Sequence, residues 1–174
     1  ADLNRGKVWL GIETRSGEEM IARYERVALL PCAGDAPGHS DEIPGPTDPA
    51  SLDSWTSLVP SWNMSSLPET AWMIGEERRD PLADHVDLAP ALARFTFNQA
   101  AIHRDLEASS FGERLVYGGH TQGLAQASLT RLLPGLATVL GWDGCDHLGP
   151  VFEGDRLSFR HILKEEFLLH DGRI

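Results

Sequence analysis

Positive charge is scarce in this chain: 15 Lys and Arg stand against 26 Asp and Glu in 174 residues, a formal net charge of -11. A surface of that sign repels polyanions, and no basic cluster interleaved with aromatics offsets it locally, so nucleic acid is not an expected partner. A coenzyme phosphate asks for less, because a pair of arginines or a helix N-terminus outweighs distant, screened charge. Long apolar runs are missing too. No stretch approaches the roughly 20 residues needed to span a bilayer, so no membrane helix is expected. Cysteine is limited to Cys32 and Cys145, far apart and outside any CxxC spacing. That argues against a disulfide scaffold and for a reducing compartment, with the cytoplasm as the expected location. Phosphate-cradling loops, dinucleotide fingerprints and a GxSxG elbow are all absent. Cys145-Asp146-His147, followed by His161 and His170, contains ligand types without the paired spacing that preorganises a metal. Neither a metal nor another cofactor is expected.

What is present, 41% apolar and 24% charged residues, suffices for the core of one domain or for pieces of two. From Lys7 to Leu30, the runs Val8 to Ile12 and Met20 to Leu30 flank Arg15-Ser16-Gly17-Glu18, which predicts a strand hairpin. Pro31 to Pro60 is dense in Pro, Gly, Asp and Ser and predicts a linker. Trp62 to Ile74 regains aromatics around Pro68 and predicts an irregular wrap with a short helix. Leu88 to Thr96, with Pro90 near its start, suits one or two helical turns. From Thr121 to Leu133 the apolar positions Ala125, Leu129, Leu132 and Leu133 predict one face of a helix that Pro134-Gly135 ends. Arg156 to Leu163 alternates partway and predicts a strand, with its partner expected beyond it after a turn at Asp171-Gly172. A charge at Leu129 or Leu132 is expected to unfold the domain.

Three clusters carry the candidate chemistry: Asn98-Gln99 with His103 five residues on, Tyr117-Gly118-Gly119-His120 leading into the apolar helix, and the turn Pro150-Val151-Phe152-Glu153-Gly154-Asp155. His103 is either a proton acceptor or an ordinary surface or core histidine. Asn98 cannot accept a proton at neutral pH, although its amide can orient a water or a ring. Gly118 and Gly119 are either turn residues or a place where a substrate approaches unpaired helix N–H groups, which the absence of Cβ permits. Asp105 either partners His103 or starts a helix, His120 either caps the helix or touches substrate, and Gly154-Asp155 is a structural turn.

These clusters, over about residues 95 to 163, resemble the MaoC-like acyl-CoA hydratases and dehydratases, whose motifs are Asp-x-Asn-Pro-x-His, a glycine at the start of the central helix, and Pro-Val-x-x-Gly-Asp. Phe111-Gly112-Glu113-Arg114-Leu115-Val116-Tyr117-Gly118-Gly119-His120 is similar to the second hotdog of two-hotdog mesaconyl-CoA hydratases. The resemblance implies an α+β hotdog fold, a long central helix wrapped by an antiparallel sheet, as part of a double hotdog. It further implies three segments: 1–31 as the closing hairpin of a preceding hotdog, 32–76 as linker and wrap, and 77–174 as a MaoC-like hotdog incomplete at its C-terminal end. The implied activity is hydration or dehydration of a short or branched 2-enoyl-CoA. His103, Asn98 and Gly119 fall in catalytic positions, while Gly118, His120 and Tyr117 fall against the acyl-CoA thioester. A homodimer or an internal double hotdog is implied. In this chain the family's catalytic aspartate is replaced by Asn98 and its asparagine by Ala100. That departure keeps two rivals open: a non-catalytic acyl-CoA-binding half, and a hotdog thioesterase.

Overall fold

A computed structural model describes residues 5–32, 34, 42 and 62–168. The chain divides into two compact units, Ala1–Ala50 and Ser51–Ile174.

In the first unit, β1 (Arg5–Ser16) and β2 (Glu19–Pro31) form an antiparallel hairpin, as their apolar runs predict. Gly17, at φ 60°, takes the first of the two loop positions, where a tight hairpin needs the left-handed region. Ladder pairs such as Leu10↔Arg26 and Ile12↔Tyr24 set the register, and a bulge falls between Thr14 and Arg15. Trp9, Leu10, Met20, Tyr24 and Val27 are exposed. Nearly all of the segment read as a linker lies outside the described residues.

The second unit is built on β3 (Glu77–His85), α1 (Ala89–Phe95), α2 (Gly118–Leu132) and β4 (Arg156–Ile162), with single 3-10 turns at Ala101–His103 and Leu106–Ala108. Residues 62–74 adopt turns and irregular backbone, and the short helix expected there does not form. Pro68 and Gly75 interrupt any helical run, and Gly75 has φ 83°. β4 forms as predicted, but its partner lies upstream: β3 pairs with it antiparallel, from Glu77↔Ile162 to His85↔Arg156. The turn at Asp171-Gly172 lies outside the described residues.

Alternation is regular in β4, where Leu157, Phe159 and His161 are half-buried between exposed neighbours. In β3 the register breaks between Arg79 and Ala83. Pro81 supplies no N–H to the ladder, and the strand bulges around it. Asp80 Oδ1 accepts from Leu82 N at 2.9 Å, and the rest of its carboxylate turns under α2. Arg131 there donates Nε to Asp80 Oδ2 at 2.7 Å and one terminal nitrogen to Asp84 Oδ2 at 2.7 Å.

The helix face that meets the sheet differs from the one predicted by periodicity. Ser128 is fully buried, the half-buried Leu124 one turn earlier packs against the core, and Arg131, although exposed, reaches Asp80 and Asp84 of β3. Leu129, Leu132 and Leu133 are only half-buried. A serine can occupy the deepest position because His161 Nε2 lies 3.0 Å from its Oγ and satisfies it.

The apolar core gathers Val86, Ala89 and Val116, with Leu124, Val151 and Leu157 packed around it. Removing two methyls from the fully buried Val86 by Val86→Ala should cost ~2 kcal/mol. The readout is a lower urea midpoint at unchanged m-value. A midpoint equal to that of the unaltered protein would mean that the core does not close at Val86.

Arg131, helped by the Leu82 N–H and by Ser128 and opposed by the cost of burial, holds the Asp80 carboxyl down to about 2, from an ordinary 3.8. A carboxyl that is more acidic in the folded chain stabilises it fully above the unfolded value, and that contribution is lost as pH falls from 3.8 through about 2. Asp80→Asn should therefore flatten the fall of the urea midpoint across that window, while lowering the midpoint at neutral pH. Equal acid slopes for the two proteins would locate the sensitivity in another group.

Candidate functional site

The segment 114–116 crosses the 151–153 turn: Val116 N donates to Val151 O at 2.8 Å and Glu153 N to Arg114 O at 3.2 Å. Arg114 and Glu153 also form an ion pair, and Phe111 packs edge-on against Phe152 at 5.4 Å. Gly154, at φ 97°, donates to Val86 O at 2.7 Å, and Asp155 Oδ2 accepts from Phe152 N at 2.8 Å. Gly154-Asp155 is thus the structural turn that the sequence suggests. Together these bonds place the start of α2 beside the turn.

An open cleft of about 350 Å³ lies at this junction, small but within the roughly 300–1,000 Å³ of ordinary ligand sites. Leu115, Val116, Pro150 and Val151 make its walls apolar. His103, Gly118, Thr121 and His147 contribute its polar character.

His103 enters from the 3-10 turn, and its Nδ1 lies 2.9 Å from the Leu115 carbonyl oxygen. A carbonyl only accepts, so Nδ1 carries the hydrogen and Nε2 of the neutral ring is the basic nitrogen. The Tyr117 ring stands edge-on to the imidazole at 6.2 Å.

The helix begins three residues earlier than its apolar period indicates. Gly118 and Gly119 form its first turn and Tyr117 is its N-cap, with no side chain capping the end. The first-turn N–H groups have no intrahelical acceptors and concentrate the positive end of the helix dipole. The two glycines differ in surroundings. Gly118 lines the cleft, and a Cβ there would collide with the His147 imidazole. Gly119 is covered by the Tyr117 phenol, into which a Cβ would run.

Asn98 does not line the cleft; its Oδ1 accepts from Ala100 N at 3.0 Å and shapes the approach to the 3-10 turn. Asp105 Oδ1 accepts from Glu107 N at 3.1 Å, capping the next turn rather than serving His103. His120 stands one helix residue past the glycines, with its Nδ1 buried and without a partner among the described residues. The structure therefore brings His103 and Gly118 to one cleft, flanks them with Tyr117, Gly119 and His120, and leaves Asn98 outside.

His147 was weighed in the sequence only as a metal ligand and was missed as a cleft residue. The polar set Asp80, Ser128, Arg131 and His161 was missed as well, and its signal was faint: one serine and one arginine in register on a helix, and a proline inside a charged strand. Burial lowers the His161 pKa from its ordinary 6.5. Among the described residues, no group of three or more His, Cys, Asp or Glu side chains converges as a metal site would require, and no helix is long and apolar enough to cross a membrane.

An apolar helix laid on an antiparallel sheet, with a histidine-bearing loop and a glycine-rich helix start opening onto one cleft, is the arrangement of a hotdog protein. The chain has the α+β hotdog fold. It is similar to a conserved hypothetical protein of Mycobacterium tuberculosis, described as essential for bacterial survival during infection and as having a double hotdog fold. The two are 37% identical at a TM-score of 0.71, over 97% of this chain and 53% of that one. It is also similar to a protein of Chloroflexus aurantiacus J-10-fl described as a MaoC domain dehydratase, 21% identical at a TM-score of 0.74, over 99% of this chain and 53% of that one. The chain thus spans about half the length of each of these solved structures. No family model and no curated protein matches it.

Proposed function

We propose that the chain is part of a MaoC-like, double-hotdog hydro-lyase of the cytoplasm that adds water to, or removes it from, a short or branched 2-enoyl-CoA, as a mesaconyl-CoA hydratase does. The observation that carries this reading is that one apolar cleft holds both an imidazole with a defined basic nitrogen and an uncapped helix start. In the hydration direction His103 Nε2 takes a proton from water, and the resulting hydroxide adds to the β-carbon. The electron pair of the double bond moves onto the thioester carbonyl, and as it returns the α-carbon takes from the His103 imidazolium the proton that water gave up, which restores the neutral ring. The developing oxyanion is the costly species. Backbone N–H groups of the Gly118-Gly119 turn, preorganised and backed by the helix dipole, stabilise it. Tyr117 and His120 flank the thioester, and Asn98 holds the loop that carries His103. The acyl-CoA is the partner, and the second hotdog comes from a homodimer or from the same polypeptide.

Product analysis tests the reading. Full-length protein is incubated with a panel of short 2-enoyl-CoA thioesters, and hydrated acyl-CoA and free thiol are both measured. Hydrated product without thiol is the expected result. Free thiol without hydrated product would mean a thioesterase, and thioesters that all persist unchanged would sink the proposal. One observation favours a second reading: Asn98 stands where a carboxylate belongs, and its oxygen is used up in its own turn. On that reading this half binds acyl-CoA and shapes the cleft without performing chemistry.

A further inference from the structure

We infer that His147, in the segment between α2 and β4, is a second substrate-touching residue of the cleft, donating an N–H to the thioester carbonyl oxygen beside the helix start. The inference rests on the hydro-lyase reading and deepens it.

His147 lines the same cleft as His103, together with Gly149 and Pro150. Its ring occupies the space that a β-carbon at residue 118 would fill: the Nε2 atom would collide with that carbon, and Cε1 would stand 2.5 Å from it. An imidazole nitrogen and the first residue of an uncapped helix therefore converge at one point of the cleft wall. Among the described residues no hydrogen bond engages that ring, so its N–H is available to a ligand. Imidazole donates an N–H in both its neutral and its protonated form, so the role does not depend on its charge. Glycine is the residue that leaves room for this packing. No bond to His147 forms or breaks: it holds the carbonyl oxygen while the electron pair of the double bond arrives, and it lets go as the α-carbon takes its proton.

The test compares full-length His147→Ala, His147→Gln and His103→Ala with the unaltered protein on crotonyl-CoA. His147→Ala should lower kcat ~10²-fold with little change in KM, as removal of one oxyanion donor does. The glutamine variant should recover part of that loss, because its amide also donates an N–H. His147 is exposed, so the thermal midpoint should hold in both variants. An alanine variant with unchanged kcat, or with only a raised KM, would reduce His147 to a wall and overturn the inference. If His103→Ala is crippled while His147→Ala is normal, the inference alone fails and the hydro-lyase reading stands. Absence of turnover of every short 2-enoyl-CoA of the panel, crotonyl-CoA included, in the unaltered protein overturns both.

Discussion

Full-length protein carrying His103→Ala is expected to lose ~10²–10⁴-fold in kcat for hydration of a 2-enoyl-CoA, the range in which a positioned general base contributes. The reason lies in how the ring is held. With Nδ1 tied to the Leu115 carbonyl, the neutral imidazole cannot present its N–H to water, and its lone pair stands on Nε2. Alanine removes the only ionisable side chain of the 98–103 cluster, because Asn98 cannot take its place as a base. The fold should tolerate the change, since His103 is half-buried and outside the Val86, Ala89 and Val116 core. Undiminished turnover, with acyl-CoA binding retained, would move the chemistry out of this half and favour the non-catalytic reading.

Gly118→Val should be nearly as damaging, by a different route. Even the first carbon of a side chain at this position meets the His147 imidazole, and a β-branched group would also fill the cleft at the point where the helix N–H groups emerge. Loss of ~10²–10³-fold in kcat is expected, comparable to loss of an oxyanion donor. Gly119→Val makes the comparison informative. There the obstacle is the Tyr117 phenol, so the variant displaces a flanking ring before it touches the substrate path. If Gly118→Val turns over normally, the oxyanion site is not at this helix start. If Gly119→Val alone is inactive, the thioester lies on the tyrosine side.

Several elements were legible because their signals are local. The hairpin followed from two apolar runs around a glycine turn, α1 from a short run with Pro90 near its start, and β4 from partial alternation. β3 was invisible. Its segment Glu77 to His85 is mostly charged and contains a proline, and its place beside β4 comes from a ladder spanning over seventy residues of chain. Helix α2 is legible from its leucines, but it starts three residues before its apolar period and its deepest residue is not one of them. Periodicity weights leucines, whereas the helix's buried position is a serine held by His161, and its exposed Arg131 reaches back to Asp80; both partners belong to the strands.

By itself the sequence determined where the chain can bury apolar surface, which segments turn, and which residue types could move a proton or admit a thioester, since these follow from side-chain chemistry at short range. Only the tertiary structure decided that His103 and Gly118 open onto one cleft, that Gly119 lies beneath a phenol, that Asn98 and Asp105 serve their own turns, and that His147 joins the site. Those outcomes depend on pairings between residues far apart in the chain, such as Val116 with Val151, and no local pattern records them.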